Sequence, residues 1–153
     1  MIITPNEIWD LLDACKLEIE EINHVDQVID DSQLANRVTE IHIADNLLLY
    51  GVLPDYGGDY RDDEAIMFDN GLDFLILKKV EYADLTSRDF SDVMQETLLV
   101  ARKFLEFVYG EKNNPDTCPK FYFLKESSEK ITPVWAKAGC NGYMVSFNLR
   151  TEL

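Results

Sequence analysis

A strict alternation near the C-terminal end of the sequence constrains the fold more than any other feature. Large apolar side chains occupy every second position from residue 143 to residue 150, namely Tyr143, Val145, Phe147 and Leu149, and the positions between them are Met144, Ser146, Asn148 and Arg150. Successive side chains of a β-strand point to opposite faces of its sheet. The alternation therefore predicts a strand with one buried face.

Two segments have the periodicity of amphipathic helices. Thr4-Pro5-Asn6-Glu7 combines an N-cap threonine, a proline at the first helical position and a glutamate three residues after the cap, and it predicts a helix from Pro5 to about Ile22. Thr86 or Ser87 is expected to cap a second, longer helix that ends at Gly110. Its predicted apolar stripe consists of Phe90, Met94, Thr97 or Leu98, Ala101, Leu105 and Val108, widened by Phe104 and Phe107.

Turn residues between apolar runs predict hairpins. Asn70-Gly71 follows Asp69 and separates the runs 65–68 and 72–80, and Asn-Gly between two such runs is a strong hairpin signal. A second hairpin is expected within 38–52, with its turn at Asp45-Asn46. Residues 23–36 have no clear period and are left open as a loop or a short strand.

The C-terminal part predicts a three-strand meander. Its strands are expected at 121–125, 131–137 and 143–150, joined by residues 126–129 and by Gly139-Cys140-Asn141-Gly142. With the two helices, this order predicts a single α+β domain over residues 1–153, in which two main helices pack on a mostly antiparallel sheet. The apolar fraction of 46% and the length of 153 residues fit one hydrophobic core.

The charge balance is the most extreme property of the composition. The chain has 29 acidic and 14 basic residues, for a net charge of −15. Because Lys and Arg contacts to phosphates supply most of the affinity for nucleic acids, this balance disfavours direct nucleic-acid binding. The acid excess is explained either by solubility or by attraction to a basic partner.

The cysteines and the start of the chain favour a reducing compartment. Cys15, Cys118 and Cys140 are odd in number and widely spaced, which fits neither a disulfide framework nor a zinc site. Cys15 falls on the apolar stripe of the first helix and is expected to be buried, whereas Cys140 lies in a predicted turn and is expected to be exposed. We find no export signal and no apolar run of membrane-spanning length, and expect a cytoplasmic protein with no membrane partner.

An acidic, glycine-containing segment from Pro54 to Glu64 is expected to form an exposed loop. Its carboxylates could ligate calcium, but their spacing differs from that of the known calcium loops, so a solvated turn is the favoured interpretation. No glycine-rich phosphate loop and no distinctive pair of catalytic carboxylates is present. We therefore expect no catalytic, cofactor-binding or metal-binding residues, and a protein that is not an enzyme.

The same segment carries the residues expected to contact a protein partner. Tyrosines beside aspartates offer aromatic anchors within a charged rim. The expected contact residues are Asp55, Tyr56, Asp59, Tyr60, Asp62 and Asp63. Exposed strand edges are expected to contribute. Trp9 and Trp135 are also candidate interface anchors, but a place in the core is the favoured interpretation for both.

The order of these elements resembles the small ring-forming neck and tail-completion proteins of tailed bacteriophages. The resemblance is carried by the capped helix Thr4–Ile22, the helix Phe90–Val108 and the final strand Gly142–Leu149. It implies a non-enzymatic virion subunit that assembles with other subunits, as a homo-oligomer or a larger assembly. The alternative is a small acidic inhibitor of a basic partner, either an immunity protein or a DNA mimic. Of these two the immunity protein is preferred, because basic residues interrupt the acidic surface.

Overall fold

Within the residues that the structure describes, a five-stranded mixed sheet and three helices form the fold. The computed structural model describes residues 2–43, 47–59, 67–112 and 123–152. In chain order the elements are α1 Pro5–Glu18, β1 His24–Val28, α2 Asp31–Thr39, β2 Leu48–Asp59, β3 Met67–Lys79, a 3₁₀ turn Tyr82–Asp84, α3 Ser87–Lys112, β4 Lys130–Lys137 and β5 Cys140–Glu152. The strand order is β1-β2-β3-β5-β4, with β1 parallel to β2 and the other pairs antiparallel. The α+β class and the mostly antiparallel sheet are confirmed.

Helices cover both faces of the sheet. On the first face, α1 and α3 pack against a core that includes Phe74, Phe104 and Phe147, whose ring centroids lie 4.9 to 6.5 Å apart. The apolar set predicted for the last strand belongs to this core, so its alternation is confirmed. On the second face, Leu34 and Val38 of α2 pack on side chains that include Tyr50, Leu75 and Leu77.

The N-terminal helix starts where its capping residues predict. The Thr4 N–H donates a hydrogen bond of 2.7 Å to the Glu7 carboxylate, as in a capping box. The helix ends at Glu18 rather than near Ile22, because Ile19 is extended and turns the chain toward β1. Ile19 and Ile22 are nevertheless buried, which explains why their spacing continues the helical pattern.

The long helix α3 also starts as predicted, and four residues of its predicted stripe, Thr97, Ala101, Phe104 and Val108, are buried. Thr86 and Asp89 exchange hydrogen bonds, with the Thr86 N–H donating to Asp89 and the Asp89 N–H to the Thr86 hydroxyl. The helix continues past Gly110 to Lys112. Phe104 is fully buried against Phe74 and Phe147, and this contact sets the rotation of the helix. Its core residues are Val93, Thr97, Val100, Ala101, Phe104 and Val108, whereas Leu98 and Leu105 are half-buried.

The predicted Asn70-Gly71 turn is wrong, since both residues lie inside β3. The Asn70 side chain is fully buried; its amide oxygen accepts the Ile3 N–H at 3.0 Å, and its amide nitrogen donates to the Leu149 carbonyl and the Thr151 hydroxyl at 3.0 Å each. These bonds to distant residues hold the asparagine in an extended strand. Asp59 instead pairs with Met67, and the residues between them lie outside the described ranges.

The loops and hairpin predicted before β3 need further corrections. Residues 31–39 form α2, capped by the Asp30 carboxylate, which accepts the Gln33 N–H at 2.8 Å. Val38 therefore lies in a helix rather than a hairpin, and the predicted turn at Asp45-Asn46 falls outside the described residues. Of the alternatives left open for 23–36, a short strand is present as β1.

The segment expected to be an exposed loop from Pro54 begins as part of β2. The pairing of β2 with β3 is interrupted by a bulge between Val52 and Asp55, and then resumes to Asp59. A bulge accommodates Pro54, which has no N–H for the ladder. The rest of the segment lies outside the described residues.

The C-terminal β4–β5 hairpin is confirmed, with a different turn. Lys137 pairs with Cys140, so the turn is Ala138-Gly139, with φ of 52° and 76°. Cys140, Asn141 and Gly142 belong to β5 rather than to the loop. In the described part of 121–125, Leu124 forms a single bridge to Leu149 instead of a strand.

Gly142→Ala should destabilise the protein by at least about 2–3 kcal/mol, because the new Cβ would lie 2.0 Å from the backbone oxygen of Ile76. Gly57→Ala, in strand β2 of the same sheet but with no atom within 4 Å of its new Cβ, is the matched control and should change stability by less than about 0.5 kcal/mol. Urea unfolding measures both. Equal midpoints for the two variants would contradict the close approach of β5 to β3.

Phe104→Ala should cost about 3–5 kcal/mol, because it removes a fully buried ring from the aromatic core. Leu105→Ala, at the neighbouring half-buried position, should cost about 1–2 kcal/mol. Denaturant unfolding of this pair tests the rotation of α3. A larger loss of stability for Leu105→Ala than for Phe104→Ala would mean that α3 turns Leu105, rather than Phe104, into the core.

Candidate functional site

The residues expected to contact a partner are only partly described. Asp55, Tyr56 and Asp59 lie in β2, whereas Tyr60, Asp62 and Asp63 fall outside the described ranges. The Tyr56 hydroxyl donates a hydrogen bond of 2.5 Å to the Ile3 carbonyl, and partial burial raises its pKa. Tyr56 therefore fastens the segment before α1 to the sheet.

Asp55 borders a polar groove on the second face, beyond the area that α2 covers. Cross-strand pairing places Asp73, Ser146 and Lys130 in one row, and Asp55 and Asn148 flank Gly71 in the next row. The groove has a volume of about 380 Å³ and is also bordered by Ile29 and Ser128. Its side chains are those of a solvated sheet face, with both signs of charge.

An exposed aromatic patch lies at the β4 edge of the sheet, on the face opposite the polar groove. We define it by Tyr82, Leu85, Phe90 and Trp135, which line a hollow of about 450 Å³ where the start of α3 approaches β4. Trp135 is 73% exposed, so its expected place in the core is wrong. Trp9, in contrast, packs against the first-face core as expected.

A β-bulge explains the exposure of Trp135. Val134 pairs with Gly142 and Lys137 with Cys140, so Trp135 and Ala136 stand opposite the single residue between those partners. A bulge bends the strand and re-aims its side chains. Ala136 has a φ of 53°, a left-handed conformation that costs an L-residue about 1–2 kcal/mol. The surrounding structure must therefore hold the bulge in place.

The side chain of Asn141 holds the bulge and the aromatic patch together. Asn141 is fully buried, and its amide oxygen accepts the Ala136 N–H at 2.8 Å and the Tyr82 hydroxyl at 2.9 Å. Burial raises the pKa of Tyr82, which keeps the hydroxyl protonated as the donor. One amide thus fixes the backbone beside Trp135 and the position of the neighbouring tyrosine.

Exposed charges adjoin the aromatic patch along the chain. Glu81, Asp84, Asp89 and Asp92 are acidic and Arg88 is basic, so four negative charges and one positive charge leave a local balance of −3. Hydrogen bonds from the Thr86 hydroxyl and N–H lower the pKa of Asp89. The patch therefore combines an apolar centre with a predominantly acidic surround.

Neither described cysteine has the surroundings of a nucleophile. Cys15 is fully buried, as its place on the apolar stripe predicts, and burial raises its pKa. The expected exposure of Cys140 is wrong, because β5 carries it into the second-face core, where burial raises its pKa to about 11. The thiolate form of either residue is therefore strongly disfavoured near neutral pH.

The described residues form neither a metal-binding cluster nor a helix that could span a membrane. Within residues 2–43, 47–59, 67–112 and 123–152, no three His, Cys, Asp or Glu side chains are arranged to hold a metal ion. Much of the acidic segment considered for calcium lies outside those ranges. None of the described helices is both long and apolar enough to cross a membrane.

Comparison with protein-family models and with curated proteins gave no match. No protein-family model matches the sequence, and no curated protein is significantly similar to it. The assignment of function therefore depends on the geometry of the site.

Sequence reasoning considered Trp135 as an interface anchor but favoured the core for it, and it missed Tyr82, Leu85 and Phe90 as parts of the aromatic patch. Trp135 follows Pro133, and a proline within a strand marks an edge position or a bulge. That signal indicates where an aromatic side chain can be exposed. Trp135 lines the same hollow as Tyr82 and Phe90 because the fold places the start of α3 beside β4. No local sequence pattern indicates this placement.

In a Cys118→Ser variant, the native protein should react with a chromogenic disulfide reagent far more slowly than the unfolded chain, because Cys15 and Cys140 are buried. The absorbance of the released thiolate measures this rate. Unfolding in urea should release both thiols and serves as the internal control. Rapid reaction of one thiol in the native protein would contradict the burial of Cys140.

Proposed function

We propose that this chain is a non-enzymatic protein-binding domain that docks another protein on the aromatic patch. The observation that carries the proposal is the 73% exposed Trp135, presented on a bulge that Asn141 holds from the core side. Tryptophan and tyrosine dominate the energetics of protein interfaces because they bury large areas with few rotatable bonds.

The patch is organised before any partner arrives. Tyr82 and the backbone of Ala136 share the same buried acceptor, and Phe90 lies in the first turn of a capped helix. A pre-formed surface loses less conformational entropy on binding than a flexible one. The left-handed conformation of Ala136 is strained for an L-residue, and strain of this kind clusters at functional sites, which supports a role for the bulge in presenting Trp135.

Strand addition at the sheet edges is less favourable than docking on this patch. At the β1 edge, the Gln27 N–H is already bonded to the Asp26 carboxylate at 2.8 Å. At the β4 edge, Pro133 lacks an N–H and the bulge at Trp135 interrupts the strand. Such features protect edges from pairing with other chains.

The non-enzymatic part of the proposal is supported by the thiols and the charged groups. Cys15 and Cys140 are buried with raised pKa values. Asp26, the least exposed of the described carboxylates, is paired with Arg37 at 3.5 Å and with the Gln27 N–H. These interactions stabilise the fold and leave Asp26 no free oxygen aimed at a cavity.

Trp135→Ala should abolish complex formation in extracts of the source organism while changing folding stability by less than about 1 kcal/mol, because the indole is largely exposed. Sedimentation of the tagged chain measures the complex, and thermal unfolding measures stability. Leu17→Ala removes an 85% exposed apolar side chain from α1 and should leave the complex intact. Loss of the complex in both variants, or in neither, would contradict docking at the aromatic patch.

A further inference from the structure

The charges beside the aromatic patch indicate the chemistry of its partner. Building on the proposed function, we infer that the patch receives a basic protein surface, with an aliphatic or aromatic side chain for the hollow and lysine or arginine residues around it. The acidic residues Glu81, Asp84, Asp89 and Asp92 are all exposed, and they are interleaved with six of the seven residues that line the hollow. A partner seated there lies beside a segment of the chain that is rich in exposed carboxylates.

The nearest basic residue on β4 does not offset this negative charge. Lys137 follows Trp135 by two positions, but its ammonium lies 2.7 Å from the Asp31 carboxylate at the start of α2. Arg88 is the one basic residue in the segment 81–92. Charges interact over about 8–10 Å at moderate salt, so the acidic groups of this short segment that lie within that distance act on whatever occupies the hollow.

A second copy of this chain fits the patch poorly. A symmetric contact through the aromatic patch would bring the local balance of −3 against the same balance, between chains that each carry −15. Like charges across an interface oppose association and suppress the wrong partner. A basic partner gains from the same groups, which both favours the complex and accelerates encounter.

The charge around Trp135 can be measured without any partner. In Trp9→Phe, Trp135 is the sole tryptophan, and its fluorescence should be quenched more strongly by caesium than by iodide, each relative to a free tryptophan analogue. Glu81→Lys with Asp84→Lys should reverse that order. The control, Glu18→Lys with Glu20→Lys, makes the same change in net charge at the end of α1 and should not reverse it. Preferential quenching by iodide in the Trp9→Phe protein would overturn the inference.

A matched pair of peptides then tests the partner chemistry. Two short peptides share a central Leu-Phe pair and differ only in having lysine or glutamate around it. The lysine peptide should shift Trp135 emission to shorter wavelength and bind at least about tenfold more tightly at low salt, with the advantage falling steeply as salt is raised. Glu81→Lys with Asp84→Lys should reduce that advantage to less than about threefold, while the α1 control retains it.

Each other outcome rejects the basic partner. Equal binding of both peptides, with burial of Trp135, would overturn the inference while leaving the aromatic patch as a docking site. Failure of the lysine peptide to bind would also overturn it, and the separate loss of complexes in Trp135→Ala still decides the proposed function. Self-association that depends on Trp135 and strengthens at low salt would identify a second copy as the occupant.

Discussion

All thirteen residues of β3 pair with β5, and the rest of the structure depends on this long antiparallel contact. It aligns Phe74 and Phe147 on the first face for α3, and Leu75 and Met144 on the second face near α2. It also brings the backbone of Gly142 against Ile76 so closely that no side chain fits between them. The two hydrophobic layers are therefore consequences of one register.

The aromatic patch lies where β5, on its other side, pairs with the outer strand β4. β5 remains regular against β3, while β4 accommodates an additional residue at Trp135 and Ala136. Asn141 belongs to the regular strand, and its buried amide accepts hydrogen bonds from the bulge and from Tyr82. A rigid scaffold thus fixes an exposed tryptophan, and the conformational cost at Ala136 is offset by hydrogen bonding from the core. The site is part of the sheet's own geometry rather than of a mobile loop.

The features that were predicted correctly are local. The capping residues Thr4 and Glu7, and the cap at Thr86, start their helices without help from the rest of the fold, and the alternation in β5 follows from one buried face. The turn predicted at Asn70-Gly71 was wrong because the buried Asn70 side-chain amide forms hydrogen bonds with Ile3, Leu149 and Thr151, which are far away in sequence. The nine-residue helix α2 is too short for its period to stand out.

The candidate site was less predictable than the fold, for the same reason. The acidic tyrosine-containing segment was expected to form it, and Tyr56 instead fastens the chain near Ile3. Trp135 has the apolar side chain of a core residue, but it lies at a bulge in the edge strand β4 and is largely exposed. Pairing register between strands is a property of the whole sheet, so a single sequence contains little information about it.

Photo-crosslinking from position 91, which lines the same hollow and leaves Trp135 in place, tests the central claim most directly when it is done in extracts of the source organism with wild-type chain added as a competitor. The account predicts one discrete adduct with another protein, which excess wild-type chain suppresses and excess Trp135→Ala chain does not. An adduct that both competitors suppress equally, or the absence of any discrete adduct, would contradict the assignment of the aromatic patch as the docking surface.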